Sequence, residues 1–120
     1  MAEEPAVDVA VIEQLATITD AEGFSVLGEL LNAFLAAAPT RLEALDRALA
    51  AGDPSTLADQ AHALTGSAAS FGARGMADLC RGVRAAAQRD DIDACGPLVR
   101  DLHTEFGRVR ASLMGLAGRR

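Results

Sequence analysis

Apolar residues recur along this chain at intervals of three and four, the repeat of an amphipathic helix, through most of its length. Val9, Ile12, Leu15 and Ala16 form a short first stripe, which Asp8 is placed to cap. Thr19-Asp20 ends that segment and offers a new cap. A long helical pattern follows from about Glu22 to Ala51, carried by Leu27, Leu31, Phe34, Ala38, Leu42, Leu45 and Leu49. Pro39 falls inside it. A proline there lacks an N–H and crowds the preceding turn, so a kink or break is expected near Ala36. Gly52 closes the pattern and Asp53-Pro54 opens the next, with Asp as N-cap and Pro at the first helical position. This third main segment runs to Phe71, where Gly72 is a natural stop. A fourth, from about Ala73 to Arg89, carries Met76, Leu79, Cys80 and Val83, and Asp90-Asp91 breaks it. The last begins near Asp93 or Pro97 and aligns Leu98, Leu102, Phe106, Val109, Leu113 and Leu116.

Short connections between such segments favour antiparallel neighbours. The expected fold is all-α: an up-down antiparallel four-helix bundle with a short extra N-terminal helix. Residues 8–117 form a single domain behind a short disordered lead at 1–7. Composition agrees, because the chain has 120 residues with 26 Ala and neither Trp nor Tyr, and Ala is the strongest helix former. The net charge of −6 argues against a nucleic-acid partner. All eleven basic residues are Arg. Cys80 and Cys95 have no CxxC spacing, so reduced thiols are expected rather than a metal or redox motif. The acidic N-terminus does not read as a signal peptide, and no apolar run is long enough to span a membrane. A cytoplasmic location without a membrane partner is the expectation.

The chemistry concentrates on the third helix. With Leu57 as the origin and a step of about 100° per residue, Ala61, Leu64, Ala68 and Phe71 fall within about 40° of one line and form its buried stripe. His62 falls about 140° away. Around it lie Ser55, Ala58, Thr65, Gly66 and Ala69, all small. Gly66 in mid-helix costs about 1 kcal/mol relative to Ala, and close approach by a partner would offset that cost. An ordinary surface histidine is the plainer reading of the same residue. His103, beside Leu102 and Phe106, reads as a flank residue, and Cys80 as a small core residue. No metal-ligand spacing, hydrolase triad or phosphate-binding glycine loop is present.

The segment Ala61-His62-Ala63-Leu64-Thr65-Gly66-Ser67-Ala68-Ala69-Ser70-Phe71-Gly72-Ala73 resembles the phosphorylation motif of histidine-containing phosphotransfer (HPt) domains, approximately AHxLKGSAxxLGA. Phe24 to Phe34, the Ala50-Ala51-Gly52-Asp53 turn, and Met76, Leu79, Cys80 and Val83 resemble the rest of the family pattern. The resemblance implies a phosphohistidine carrier in a two-component phosphorelay. His62 would accept a phosphoryl group from a receiver-domain aspartate and pass it to another. The partners implied are response-regulator receiver domains and a hybrid sensor kinase. The Mg²⁺ implied belongs to the receiver, and the chain brings no cofactor of its own. It would be a phosphotransfer intermediate without independent catalytic machinery. Within it, Gly66 and Ala69 clear space above His62, Ser55 and Ala58 touch the receiver, and Gln60 and Thr65 orient the ring or the phosphoryl group.

The match departs in two places. Thr65 stands where the family usually has a lysine, and it can bring a hydrogen bond but no charge. Arg84 stands where the family often has Glu or Gln. His62 lies eleven residues before Ala73 and Arg84 eleven after it, so the two sit level in an antiparallel hairpin. Arg84 either supplies the charge that Thr65 lacks or points to water and pairs with an acid such as Asp59. The missing lysine also keeps open an HPt-like module that docks or sequesters a receiver without being phosphorylated. A generic helical dimerisation module is the third reading.

Overall fold

The computed structural model describes residues 4–117. Five helices follow one another: α1 Val9–Ala16, α2 Leu27–Ala51, α3 Pro54–Ser70, α4 Arg74–Gln88 and α5 Ile92–Ala117. Helices α2 to α5 form an up-down antiparallel bundle in which α2 packs on α3, α3 on α4, α4 on α5, and α5 closes against α2. No residue among those described forms a named strand.

Each stripe read from the sequence turns inward. Leu31, Phe34, Ala38, Leu42 and Leu45 of α2 meet Leu57, Ala61, Leu64 and Ala68 of α3 in one core, with Met76, Cys80 and Val83 of α4 and Leu102, Val109 and Leu113 of α5. Three phenylalanines from different parts of the chain close one end. The ring of Phe34 lies 5.1 Å from that of Phe71 and 6.0 Å from that of Phe106. Such tilted and edge-on pairs add specificity to apolar burial.

Four boundaries differ from expectation. Helix α2 starts at Leu27, not Glu22. The Asp20 carboxylate does not cap it but folds onto its own loop, accepting from the backbone N–H groups of Glu22 (2.9 Å) and Phe24 (3.0 Å). Gly23, at φ 89°, completes that turn. Helix α2 also runs through Pro39 without a break. Phe34, Ala38 and Leu42 lie on one buried stripe on both sides of the proline, and this packing outweighs a single lost hydrogen bond. Helix α5 begins at Ile92, earlier than expected, because the Asp91 carboxylate accepts from the Ala94 N–H at 3.1 Å and caps it. Finally, part of the expected disordered lead is packed: Ala6 and Val7 are buried in the core, and residues 1–3 lie outside the described residues.

Helix α1 seats on the α3–α4 turn. The Asp8 N–H donates to the Gly72 carbonyl at 3.0 Å, and the Asp8 carboxylate pairs with Arg74 at 3.0 Å. Gly72 sits at φ 70°, where a β-carbon is strained, and a Cβ there would stand 2.9 Å from the Asp8 Cβ. These contacts tie the start of α1 to the α3–α4 turn.

Candidate functional site

Helix α3 is held at both ends. At its start the Asp53 carboxylate accepts from the Thr56 N–H at 3.1 Å and from the Thr56 hydroxyl at 2.6 Å. Those bonds, the hydroxyl's first, hold the Asp53 carboxyl below the ordinary aspartate value of 3.8. At its other end lies the Gly72 turn. Between them Leu57, Ala61, Leu64 and Ala68 are buried, and the opposite face is left to solvent.

His62 is on that open face, exposed, and its ring makes no hydrogen bond with any described residue. Ser55, Gly66 and Ala69 are exposed beside it, and Ala58 and Thr65 are half-buried. A Cβ added to Gly66 would meet nothing within 4 Å, so no contact inside the chain accounts for this glycine. The hydroxyls that follow His62 are turned back onto their own helix. Thr65 donates to the Ala61 carbonyl at 2.8 Å, Ser67 to that of Ala63 at 3.4 Å and Ser70 to that of Gly66 at 2.9 Å. Thr65 therefore keeps only acceptor capacity toward the open face.

Gln60 is not part of this group. It lies about 160° from His62 around the helix, where its Oε1 accepts from Arg41 of α2 at 3.1 Å. Its expected part in orienting the ring is replaced by a structural one, tying α2 to α3. The helical wheel carries the signal, since Gln60 sits on the edge opposite the histidine.

The Gln60–Arg41 bond also shows which edge of α3 faces α2, so α4 packs against the other edge, the one nearer His62. On α4, the edge toward α5 is marked by Gly82, where a Cβ would meet Leu98 at 3.4 Å. Arg84 lies about 160° round the helix from Gly82, on the edge toward α3. The Arg84 side chain is exposed and makes no ion pair or hydrogen bond with a described residue, so the pairing with Asp59 is not formed. Nor does a hydrogen bond join it to His62.

The remaining candidates are occupied. His103 Nε2 lies 2.8 Å from an Asp46 carboxylate oxygen and links α5 to α2. Cys80 and Cys95 are free thiols in the core. Burial pushes Cys80 up to about 12 against a small opposing effect of Arg81. Burial also raises Cys95, with the Asp91 charge adding to it and Arg89 opposing. Among the described residues no group of three His, Cys, Asp or Glu is placed to hold a metal ion, and no helix is long and apolar enough to cross a membrane.

An exposed imidazole on a rigid helix, in a low collar with no internal proton donor aimed at it, suits nucleophilic attack on a group delivered from outside. The family model described as Hpt domain matches residues 29–112. Among solved structures, histidine-containing phosphotransfer protein B (HptB) from Pseudomonas aeruginosa PAO1 superposes with a TM-score of 0.88 at 27% identity, over 98% of this chain and 99% of that one. No curated protein matches the chain.

Proposed function

This chain belongs to the Hpt domain family, and on that premise we propose that it is a phosphohistidine carrier with His62 as the phosphoacceptor. The observation that carries this reading is the exposed, unbonded ring of His62 within a collar of small side chains. The attacking ring nitrogen uses its lone pair on the phosphorus of a receiver's aspartyl phosphate. A P–N bond forms as the P–O bond breaks, and the aspartate leaves as carboxylate. Transfer to a second receiver is the same step in reverse.

Phosphoryl transfer depends mainly on positioning and charge stabilisation. The receiver brings the Mg²⁺ and the acidic pocket, and this chain brings the nucleophile and its surroundings. Arg84, whose side chain pairs with no described residue, is the group that meets the phosphoryl charge in place of the family's lysine, by a bidentate pair. Thr65 offers room and an acceptor. Ser55, Ala58, Gly66 and Ala69 form the surface on which the receiver rests. Receivers of response regulators and of a hybrid sensor kinase are the proposed partners.

Incubation with a phosphorylated receiver and Mg²⁺ tests the reading. Acid-labile label on the wild type and none on His62→Gln is expected. Thr65, standing where the family has lysine, favours a second reading in which the chain docks receivers without carrying phosphate. Receiver binding with no label on the wild type is the result that selects it. Within the carrier reading, Arg84→Ala slows transfer and Thr65→Lys restores it. Unchanged transfer in Arg84→Ala removes the role given to Arg84.

A further inference from the structure

We propose that Asp59 is a partner-selecting residue, and that the receiver which exchanges phosphate with His62 sets a basic side chain against it. The inference rests on the carrier reading and adds to it the charge pattern that the partner must match.

Asp59 is the one acidic or basic residue besides His62 on α3, whose sequence from Pro54 to Ser70 is otherwise apolar or neutral. It is exposed and pairs with no described residue. It precedes His62 by three residues, about 4.5 Å along the helix axis and about 60° around it. That turn carries it away from α4, because Arg84 and α4 lie on the other side of His62. The phosphoacceptor therefore stands between an uncommitted anion and an uncommitted cation. Arg81, the nearest other arginine on α4, is already paired with Asp78 at 2.8 Å.

A specific complex covers about 800 Å² on each partner. A receiver centred on His62 cannot leave out a residue one turn away. Docking thus takes the Asp59 carboxylate out of water. Without a matching cation that desolvation is uncompensated, and a phosphoryl group arriving on His62 adds repulsion. A receiver with a basic side chain at that place turns the same carboxylate into an attractive contact. Asp59 consequently discriminates between receivers, and with Arg84 it sets the one orientation in which they dock.

The test uses the full chain with two phosphodonors. Phosphoramidate is small and reaches His62 without docking. A receiver domain phosphorylated by acetyl phosphate and Mg²⁺, chosen because it labels the wild type, must dock. With the receiver at low ionic strength, Asp59→Asn is expected to slow transfer about tenfold and Asp59→Arg about a hundredfold, with both differences shrinking in high salt. Labelling by phosphoramidate stays at the wild-type rate, and Asp59→Glu retains transfer. Wild-type transfer rates in both charge variants overturn the proposal. An equal fall with phosphoramidate also overturns it, since Asp59 then acts on the histidine and not on the partner. If phosphoramidate does not label the wild type and no phosphorylated receiver can be found that does, the carrier reading itself is refuted.

Discussion

Two glycines near the motif show how differently one residue type can be required. Gly72, at the end of α3, is fixed from within: its φ is 70°, and a Cβ there would press on Asp8 and Val11 of the α1 segment. Gly66, in the middle of α3, is in ordinary helix, and a Cβ there would touch nothing within 4 Å. The first glycine belongs to the fold. The second weakens its helix by about 1 kcal/mol relative to Ala with no return inside the molecule. A residue that costs stability and has no internal reason directs attention to whatever approaches from outside, and His62 lies on that same open face.

The largest effect expected from breaking this contrast is at the turn. Gly72→Ala should lower stability by at least about 2 kcal/mol, from left-handed strain and displacement of α1, read as a lower urea midpoint. Gly66→Ala should raise stability by up to about 1 kcal/mol, read as a higher urea midpoint, while slowing exchange with a receiver. If Gly66→Ala were neither more stable nor slower, the glycine would have no outward role. A smaller and kinetic contrast concerns the inner face. Cys80 and Cys95 are buried, with Cys80 raised to about 12, so iodoacetamide at pH 8 should leave both thiols largely unmodified in the native chain and label both in denaturant. Fast native labelling would mean that the α4–α5 core opens readily.

The helices were legible because each carries one uninterrupted apolar stripe. Their ends are most legible where a cap faces its own helix, as at Asp8 and Asp53, or where a glycine stops it, as at Gly52. Asp20 was misread because an aspartate before a helical pattern can as well close a local turn, and the choice depends on Gly23 taking a positive φ. Ala6 and Val7 gave no sign of burial, since two apolar residues have no period. At the site, the open face around His62 could be read from side-chain size alone. Counting outward from the turn places Arg84 on the hairpin but does not reach whether it pairs with Asp59, which depends on which edge of α3 meets α4, a matter of packing. The part expected of Gln60 in orienting the ring conflicts with the wheel, which sets it opposite the histidine, where it bonds Arg41.

The smallest expected effect contrasts the two ends of α3. The end at Gly72 is held by backbone geometry, which does not titrate. The start is held by a carboxylate, and hydrogen bonds from Thr56 lower the Asp53 pKa below 3.8. A depressed folded-state pKa gives stability that is present above the unfolded value and lost as pH falls through the folded one. Asparagine caps a helix about as well as aspartate, so Asp53→Asn removes the titration and keeps the cap. The stability difference between wild type and Asp53→Asn, measured by urea midpoints, should therefore be present at pH 7 and narrow toward pH 3. A difference that stays constant over that range would show that the cap holds α3 by geometry alone, as its other end does.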